Sequence, residues 1–263
     1  MLAHKVALFI KRRQSARMGI KMNKVALITG SSRGIGRAIA IKFAKEGYAV
    51  IINGSKESKQ LDSLQEEILS LSVPCLKFVG DIGEYPVVAA LFEQISRQFG
   101  KLDVLINNAG VSHVGLFTDM TPSEWTRLLQ VNFVSVLNTC HLAVPMFVSK
   151  KSGRILNISS VWGNCGASCE AVYSATKGAI NSFTKALAKE LAPSNIPVNA
   201  LACGVIDTEM NQCFSTEERE ALCEEIPMGR MATTEEVADM VYRLCEGSAY
   251  LTGQVITFDG GWI

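Results

Sequence analysis

Ser160, Tyr173 and Lys177 are the residues whose types and spacing suit one chemical task. The run Ile155-Leu156-Asn157-Ile158-Ser159-Ser160 predicts a buried strand ending in hydroxyls. After a turn containing glycine, the segment from about Glu170 to Leu191 spaces Ala, Leu and Phe by threes and fours, which predicts a long helix. Four residues apart on that helix, Tyr173 and Lys177 share one face, one turn from each other. A free phenol has a pKa of roughly 10. A neighbouring ammonium favours the phenolate and is expected to lower that value. The phenol can then give or take a proton at a substrate oxygen near neutrality. Ser160 can hydrogen-bond the same oxygen as charge develops on it. The other half of such a reaction needs a hydride carrier bound nearby.

The start of the chain offers a place for one. Lys24–Thr29 is short and continuously apolar, the mark of a parallel strand covered on both faces. It runs into Gly30-Ser31-Ser32-Arg33-Gly34-Ile35-Gly36, and a helix follows with Ile35, Ala38, Ile39 and Phe43 on one side. Strand, glycine turn and helix are the setting a dinucleotide-binding turn requires, although the spacing is GxxxGxG rather than GxGxxG. The backbone from Gly30 through Ser32 to Gly36 can approach a pyrophosphate, which then faces free N–H groups at the helix N-terminus.

The next strand, Ala49–Asn53, ends in Asn53-Gly54-Ser55-Lys56 with no acidic residue before Glu57. An acid there would bind a ribose 2′-hydroxyl and repel a 2′-phosphate. Arg33 can pair with a 2′-phosphate instead, so NADP(H) is expected over NAD(H). Asp81, followed by Ile82, ends a third strand, Cys75–Val79. It can meet an adenine amino group or cap the following helix. Strand Val104–Ile106 ends in Asn107-Asn108-Ala109-Gly110, whose amides can pin loops to a ribose. A long helix from Pro122 to about Val148 carries Asn132, unusual in mid-helix unless it holds a partner or bends the backbone. Strand Pro197–Ala202 leads to residues 203–231, which include the acid-rich run Glu217–Glu225. Lying beyond a strand's carboxyl end, this segment reads as a substrate lid. A helix from Thr234 to about Glu246 and a strand Val255–Phe258 close the chain. Strands alternate with helices throughout, which predicts an α/β fold: a Rossmann-type, doubly wound parallel sheet of about seven strands with helices on both faces.

Bulk properties narrow the function. The chain has 263 residues and a net charge of +1. Residues 1–22 hold six Lys or Arg and no acid, so the remainder has 20 basic and 25 acidic residues. A body of that sign is a poor nucleic-acid binder. No run of consecutive apolar residues approaches the roughly 18 of a membrane helix. The basic stretch 1–22 reads either as a targeting leader or as a start upstream of the fold, outside the dinucleotide-binding domain 23–263. Eight cysteines without a CxxC pair suggest reduced thiols and a cytoplasmic setting. His4, His113 and His141 are scattered, and no metal-type spacing exists, so no metal is expected.

Taken in order, these motifs resemble the short-chain dehydrogenases/reductases, and most of all the 3-oxoacyl-[acyl-carrier-protein] reductases of bacteria. The likeness runs from about Lys24 to the C-terminus. It implies that Tyr173 is the proton donor, that Lys177 lowers its pKa and holds the nicotinamide ribose, and that Ser160 positions the substrate carbonyl. It further implies that Asn132 holds a water linking Lys177 to solvent, that Ile206 and Thr208 contact the nicotinamide carboxamide, and that Asn108 and Ser55 line the cofactor. A homotetramer paired through the two long helices and through the last strand is implied as well. The chain departs from the family in having Cys203 where proline usually precedes Gly204, which removes a fixed φ at the root of the lid. Of two positions where carrier-protein reductases present basic residues, Arg154 stands at one and Ser194 at the other. The readings that follow are a 3-oxoacyl thioester reductase of fatty-acid biosynthesis, the same chemistry on a steroid, sugar, polyol or small carbonyl compound, and a non-catalytic NADP-binding protein. The last would normally show a broken Ser/Tyr/Lys set, and this set is whole.

Overall fold

The structure, a computed structural model, describes residues 23–209 and 215–263. The basic stretch 1–22, with both of its readings, lies outside the described residues. Seven strands make one sheet: β1 (Val25–Ile28), β2 (Ala49–Gly54), β3 (Cys75–Val79), β4 (Val104–Asn107), β5 (Arg154–Ser160), β6 (Val198–Cys203) and β7 (Val255–Phe258). All pairings are parallel, in the order β3-β2-β1-β4-β5-β6-β7. The chain steps outward from β1 to β3, returns to the middle at β4, and steps outward the other way. The loops after β1 and β4 therefore part to opposite faces and leave a crevice at the carboxyl ends of the strands.

The helices are α1 (Gly34–Lys45), α2 (Lys59–Ser70), α3 (Tyr85–Gln98), α4 (Pro122–Leu129), α5 (Ser135–Lys150), α6 (Trp162–Cys165), α7 (Ala171–Leu191), α8 (Thr216–Glu225) and α9 (Thr234–Glu246). Alternate strand residues feed two apolar layers, as the period of two in a strand demands. Ala26, Ile28, Val50 and Ile52 pack with α1, α2 and α9. Val25, Leu27 and Ile51 pack with α3, α5 and α7. With both faces covered, β1, β2 and β4 are buried throughout, which is why they read as continuous apolar runs rather than alternating ones.

Two features were not legible in the sequence. The predicted helix over 122–148 is α4 and α5 joined by a π-helical turn, Gln130–Val134. Together they form one 29-residue helix that, by length and composition alone, could cross a membrane, which a search for unbroken apolar runs did not predict. In this fold Val136, Ala143 and Phe147 pack into the core instead. Its buried polar groups are paired within the protein: Asn138 donates to the Gly83 carbonyl at 2.8 Å and Thr139 donates to Asn107 Oδ1 at 2.7 Å. The second feature, α6, has four residues, too few to show a helical period.

Candidate active site

β5 delivers Ser160 to the carboxyl edge of the sheet, where it is 7% exposed. The Ser160 oxygen accepts from the Trp162 amide at 3.2 Å, and Ser160 shares the cleft wall with Tyr173. α7 is bound to β5 by side chains as well as by packing. Ser159 donates to Asn181 Oδ1 at 2.6 Å, and Asn181 donates to Asn164 Oδ1 of α6 at 2.9 Å. α6 lies so close that a Cβ on Gly163 would sit 2.7 Å from the Lys177 carbonyl carbon and 2.9 Å from the Asn181 side-chain nitrogen. The position of the Tyr173–Lys177 turn is thus fixed from two sides.

Lys177 is 4% exposed and donates to the Ile158 carbonyl at 2.9 Å. Its ammonium is 5.6 Å from the centroid of the Tyr173 ring, and no carboxylate pairs with it among the described residues. Burial pulls it down to about 8. Burial pushes the Tyr173 phenol well above its ordinary range, and the Ser160 hydroxyl works in the opposite direction. The expected depression of the phenol by Lys177 is therefore not what this arrangement gives. Both groups lose water, desolvation disfavours each charged form, and the ammonium is turned toward a strand carbonyl.

Asn132 is fully buried in the π-helical turn. Its Oδ1 accepts from the Val111 amide at 2.8 Å, and its Nδ2 donates to the Val111 carbonyl at 2.9 Å and to Thr176 Oγ1 at 3.2 Å. Both sequence explanations hold at once: the residue grips partners, and the backbone around it is distorted. It ties the loop after β4 to α7.

The residues expected to hold a cofactor line one cleft with Ser160, Tyr173 and Lys177, with a volume of about 480 Å³. Gly30, Ser32, Arg33, Ile35 and Gly36 come from the turn after β1, and Ser55 follows β2. Asp81 and Ile82 follow β3, Asn108, Ala109 and Gly110 follow β4, and Ile206 and Thr208 follow β6. Asn132 stands behind this wall. Asn108 straps the two central loops by donating to the carbonyls of Thr29 and Gly30, each at 3.0 Å. A Cβ on Gly36 would fall 2.4 Å from both the Asn108 Nδ2 and the Gly30 carbonyl oxygen, so only glycine lets α1 approach this strap.

The fit to a dinucleotide is tested by the helix ends. α4, α8 and α9 each begin with a complete capping box. α1, like α3, α5 and α7, begins with no side-chain cap and no acid in its first turn, and its first residues Gly34, Ile35 and Gly36 line the cleft. Its first N–H groups therefore remain free donors at the cleft, as phosphate binding at a helix N-terminus requires. The ribose end agrees. Asn53 is used by the protein itself, accepting from the Gly30 amide at 3.3 Å and donating to the Gly80 carbonyl at 3.1 Å. Glu57, the first acid after β2, is turned to Lys77 at 3.2 Å. Arg33 lines the cleft and pairs with Glu209 at 3.1 Å.

Three expectations are corrected or narrowed. Asp81 does not cap α3, whose N-cap residue is Glu84. Its carboxylate accepts from the Gly83 amide at 2.9 Å and from Arg127 at 2.6 Å. Cys203 does not loosen the root of the following segment, because it ends β6 in register with Phe258 and the Gly204 amide donates to the Phe258 carbonyl at 2.9 Å. Burial pushes its thiol up to about 12, so it is no ready nucleophile. Arg154 opens β5 while Ser160 closes it, which places Arg154 about 20 Å from the cleft at the usual rise per strand residue. Its guanidinium donates to the Cys245 carbonyl at 3.1 Å at the end of α9.

The sequence reading also missed residues. A buried chain of amides and hydroxyls crosses the sheet: Asn107 donates to Asn157 at 2.9 Å, and Asn157 donates to Thr184 of α7 at 2.8 Å. Polar residues inside apolar strands were its only signal. Trp162 and Trp262 meet edge to face at 5.0 Å on the wall of the cleft, one hundred residues apart in sequence.

In comparison with known proteins, the model of the short chain dehydrogenase family matches residues 24–219. The 3-oxoacyl-[acyl-carrier-protein] reductase FabG of Staphylococcus aureus is 38% identical over 243 residues, covering 92% of this chain and 99% of that protein. YmfI, an uncharacterized oxidoreductase of Bacillus subtilis, is 38% identical over 243 residues with the same coverage. The crystal structure of YwfH, an NADPH dependent reductase involved in bacilysin biosynthesis, matches with a TM-score of 0.85 and 29% identity, covering 92% of this chain and 98% of that one.

Proposed function

The chain belongs to the short-chain dehydrogenases, and from that premise we propose that it is an NADPH-dependent reductase that turns a 3-oxoacyl thioester into the 3-hydroxyacyl thioester. The observation that carries this reading is the convergence of Ser160, Tyr173 and Lys177 on the cleft where the uncapped end of α1 also opens. The reduced nicotinamide, when bound, supplies the hydride that reaches the ketone carbon. Arg33 and Ser55 hold the 2′-phosphate, and the first turn of α1 holds the pyrophosphate. Ser160 donates a hydrogen bond to the ketone oxygen and orients it. Tyr173 gives its proton to that oxygen as the carbon is reduced, so the product is the alcohol. A phenol kept protonated by burial suits the donor role in this direction. Lys177 keeps a positive charge near the phenolate that remains. Residues 203–231, of which 210–214 lie outside the described residues, act as a lid over the substrate.

The likeness to FabG supports the thioester. Two observations favour a second reading, a small carbonyl compound free of any carrier: Arg154 is engaged with α9 far from the cleft, and α8 carries Glu217, Glu218, Glu220, Glu224 and Glu225 against one Arg219, a sign that repels an acidic carrier. We also take the protein as a cytoplasmic homotetramer joined through α5, α7 and β7. The deciding experiment measures NADPH oxidation with acetoacetyl thioesters on carrier protein and on coenzyme A, beside small ketones. Reduction of the carrier thioester with the highest kcat/KM, and preference for NADPH over NADH, is the expected result. Failure of both thioesters with turnover of a small ketone replaces the first reading by the second.

A further inference from the structure

Three carboxylates line the cleft: Asp81, Glu170 and Glu209. Asp81 is paired with Arg127 at 2.6 Å and Glu209 with Arg33 at 3.1 Å. Glu170 has no cationic partner among the described residues. It is the residue immediately before α7, three positions from Tyr173. It is half-buried, and Trp162 stands with it on the cleft wall. Trp162 in turn is packed on Trp262, so an aromatic wall faces the carboxylate.

A carboxylate in such a place is under-supplied with donors. It has roughly four lone-pair sites, and the indole N–H of Trp162 can satisfy at most one of them. Removing an ionised group from water without compensating hydrogen bonds is costly, and burial already raises the pKa of Glu170. The group lines the same cleft as Tyr173, and its charge opposes ionisation of the phenol. Nothing in the proton transfer from Tyr173 calls for a carboxylate there. A donor brought by the substrate would satisfy it.

We infer that Glu170 is a specificity-determining residue that accepts a hydrogen bond from an amide N–H on the substrate, beyond the ketone. The inference rests on reading the cleft as a carbonyl-reducing site. Glu170 stands at the start of α7 and lines the same cleft as Tyr173, which places the donor on the cleft wall beside the ketone oxygen held by Tyr173. In a 3-oxoacyl thioester, the first amide N–H of the thiol arm comes to this wall when the arm bends. That amide is common to carrier-protein and coenzyme A thioesters, so Glu170 would recognise the arm and not what lies beyond it. A site built to hydrogen-bond a substrate N–H discriminates strongly against an analogue lacking it, because the protein group is then left unpaired.

The test uses the full chain with NADPH and two pairs of ketones. The first pair is acetoacetyl-N-acetylcysteamine and its ester analogue, in which oxygen replaces the amide N–H. The second contains no thioester: 5-acetamidopentan-2-one and 5-acetoxypentan-2-one. The readout is the ratio of kcat/KM, amide over ester, within each pair. The wild type is expected to prefer the amide by about tenfold, carried mostly by KM. Glu170→Gln keeps a carbonyl acceptor and retains a preference of the same direction. Glu170→Leu brings the ratio to about one. A wild-type ratio of one, or a ratio unchanged in Glu170→Leu, overturns the inference while the thioester reading stands. If only the second pair is reduced, with a Glu170-dependent ratio, the thioester reading falls and the inference holds. If neither pair is reduced, both fall.

Discussion

α7 and α8 both border the same cleft, and they are held in opposite ways. α7 buries eight residues, Ser174, Thr176, Lys177, Ile180, Asn181, Thr184, Ala188 and Leu191. α8 buries none and carries a mostly acidic surface. Five of the buried residues on α7 have polar side chains, and four of these hydrogen-bond to β5, α6 or the π turn: Thr176 to Asn132, Lys177 to the Ile158 carbonyl, Asn181 to Ser159 and Asn164, and Thr184 to Asn157. α8 is tied by its capping box and by the Arg219–Asp207 pair at 2.8 Å, the kind of exposed pair that contributes little. The Tyr173 phenol rides on the helix with the more fixed surroundings, which is what the proposed proton transfer would require. With no residue buried, α8 has few contacts to break.

The comparison can be broken by mutation, first at the chemistry. Tyr173→Phe should lower kcat by about 10³-fold, within the range for loss of a proton donor, while NADPH binding measured by fluorescence quenching persists. Retained turnover would separate α7 from the reaction altogether. Gly163→Val should lower kcat by about 10²-fold, because the new side chain pushes on the Lys177 backbone and displaces Tyr173. Steady-state kinetics beside thermal melting would expose this, and an unchanged kcat would mean that α7 is not held as tightly as its contacts imply.

A pH experiment sharpens the same contrast. The folded-state value of Lys177 is about 8, against 10.5 for the free group. Between these values the unfolded chain binds more protons, so the stability contributed by Lys177 rises with pH and is lost as pH falls through 8. Relative to Lys177→Met, the wild type should gain about 3 kcal/mol between pH 8 and pH 10.5, read from urea denaturation at each pH. A flat difference would mean that Lys177 is not desolvated. The smallest effect belongs to α8. Ser215→Ala removes its N-cap at a cost of about 1 kcal/mol, confined to that helix because nothing on it is buried. Hydrogen exchange across α8 should quicken while the melting temperature stays within about 2 °C.

Most of the frame was legible before any coordinates. β1, β2 and β4 announced themselves as continuous apolar runs because a doubly covered strand has no wet face. α7 and α9 did so because one face of each is apolar at helical spacing. The π-helical turn at Asn132 left only the oddity of a buried amide in mid-helix, since a single wide turn barely changes periodicity. α6 left no trace at all. Cys203 read as a loose spot because proline rigidity is local, whereas the strand pairing that secures it comes from Phe258, fifty-five residues later.

The sequence alone determined which groups could act, since a phenol four residues before an ammonium on a predicted helix must share its face. It also determined where a dinucleotide could lie, since a glycine turn between a buried strand and a helix leaves N–H donors uncapped. Only the tertiary structure decided the electrostatics. Whether Lys177 or burial governs Tyr173 depends on how much water each group loses and on which carbonyl the ammonium finds. Those quantities are set by α6, β5 and the π turn closing around them, and no spacing within a single element encodes them.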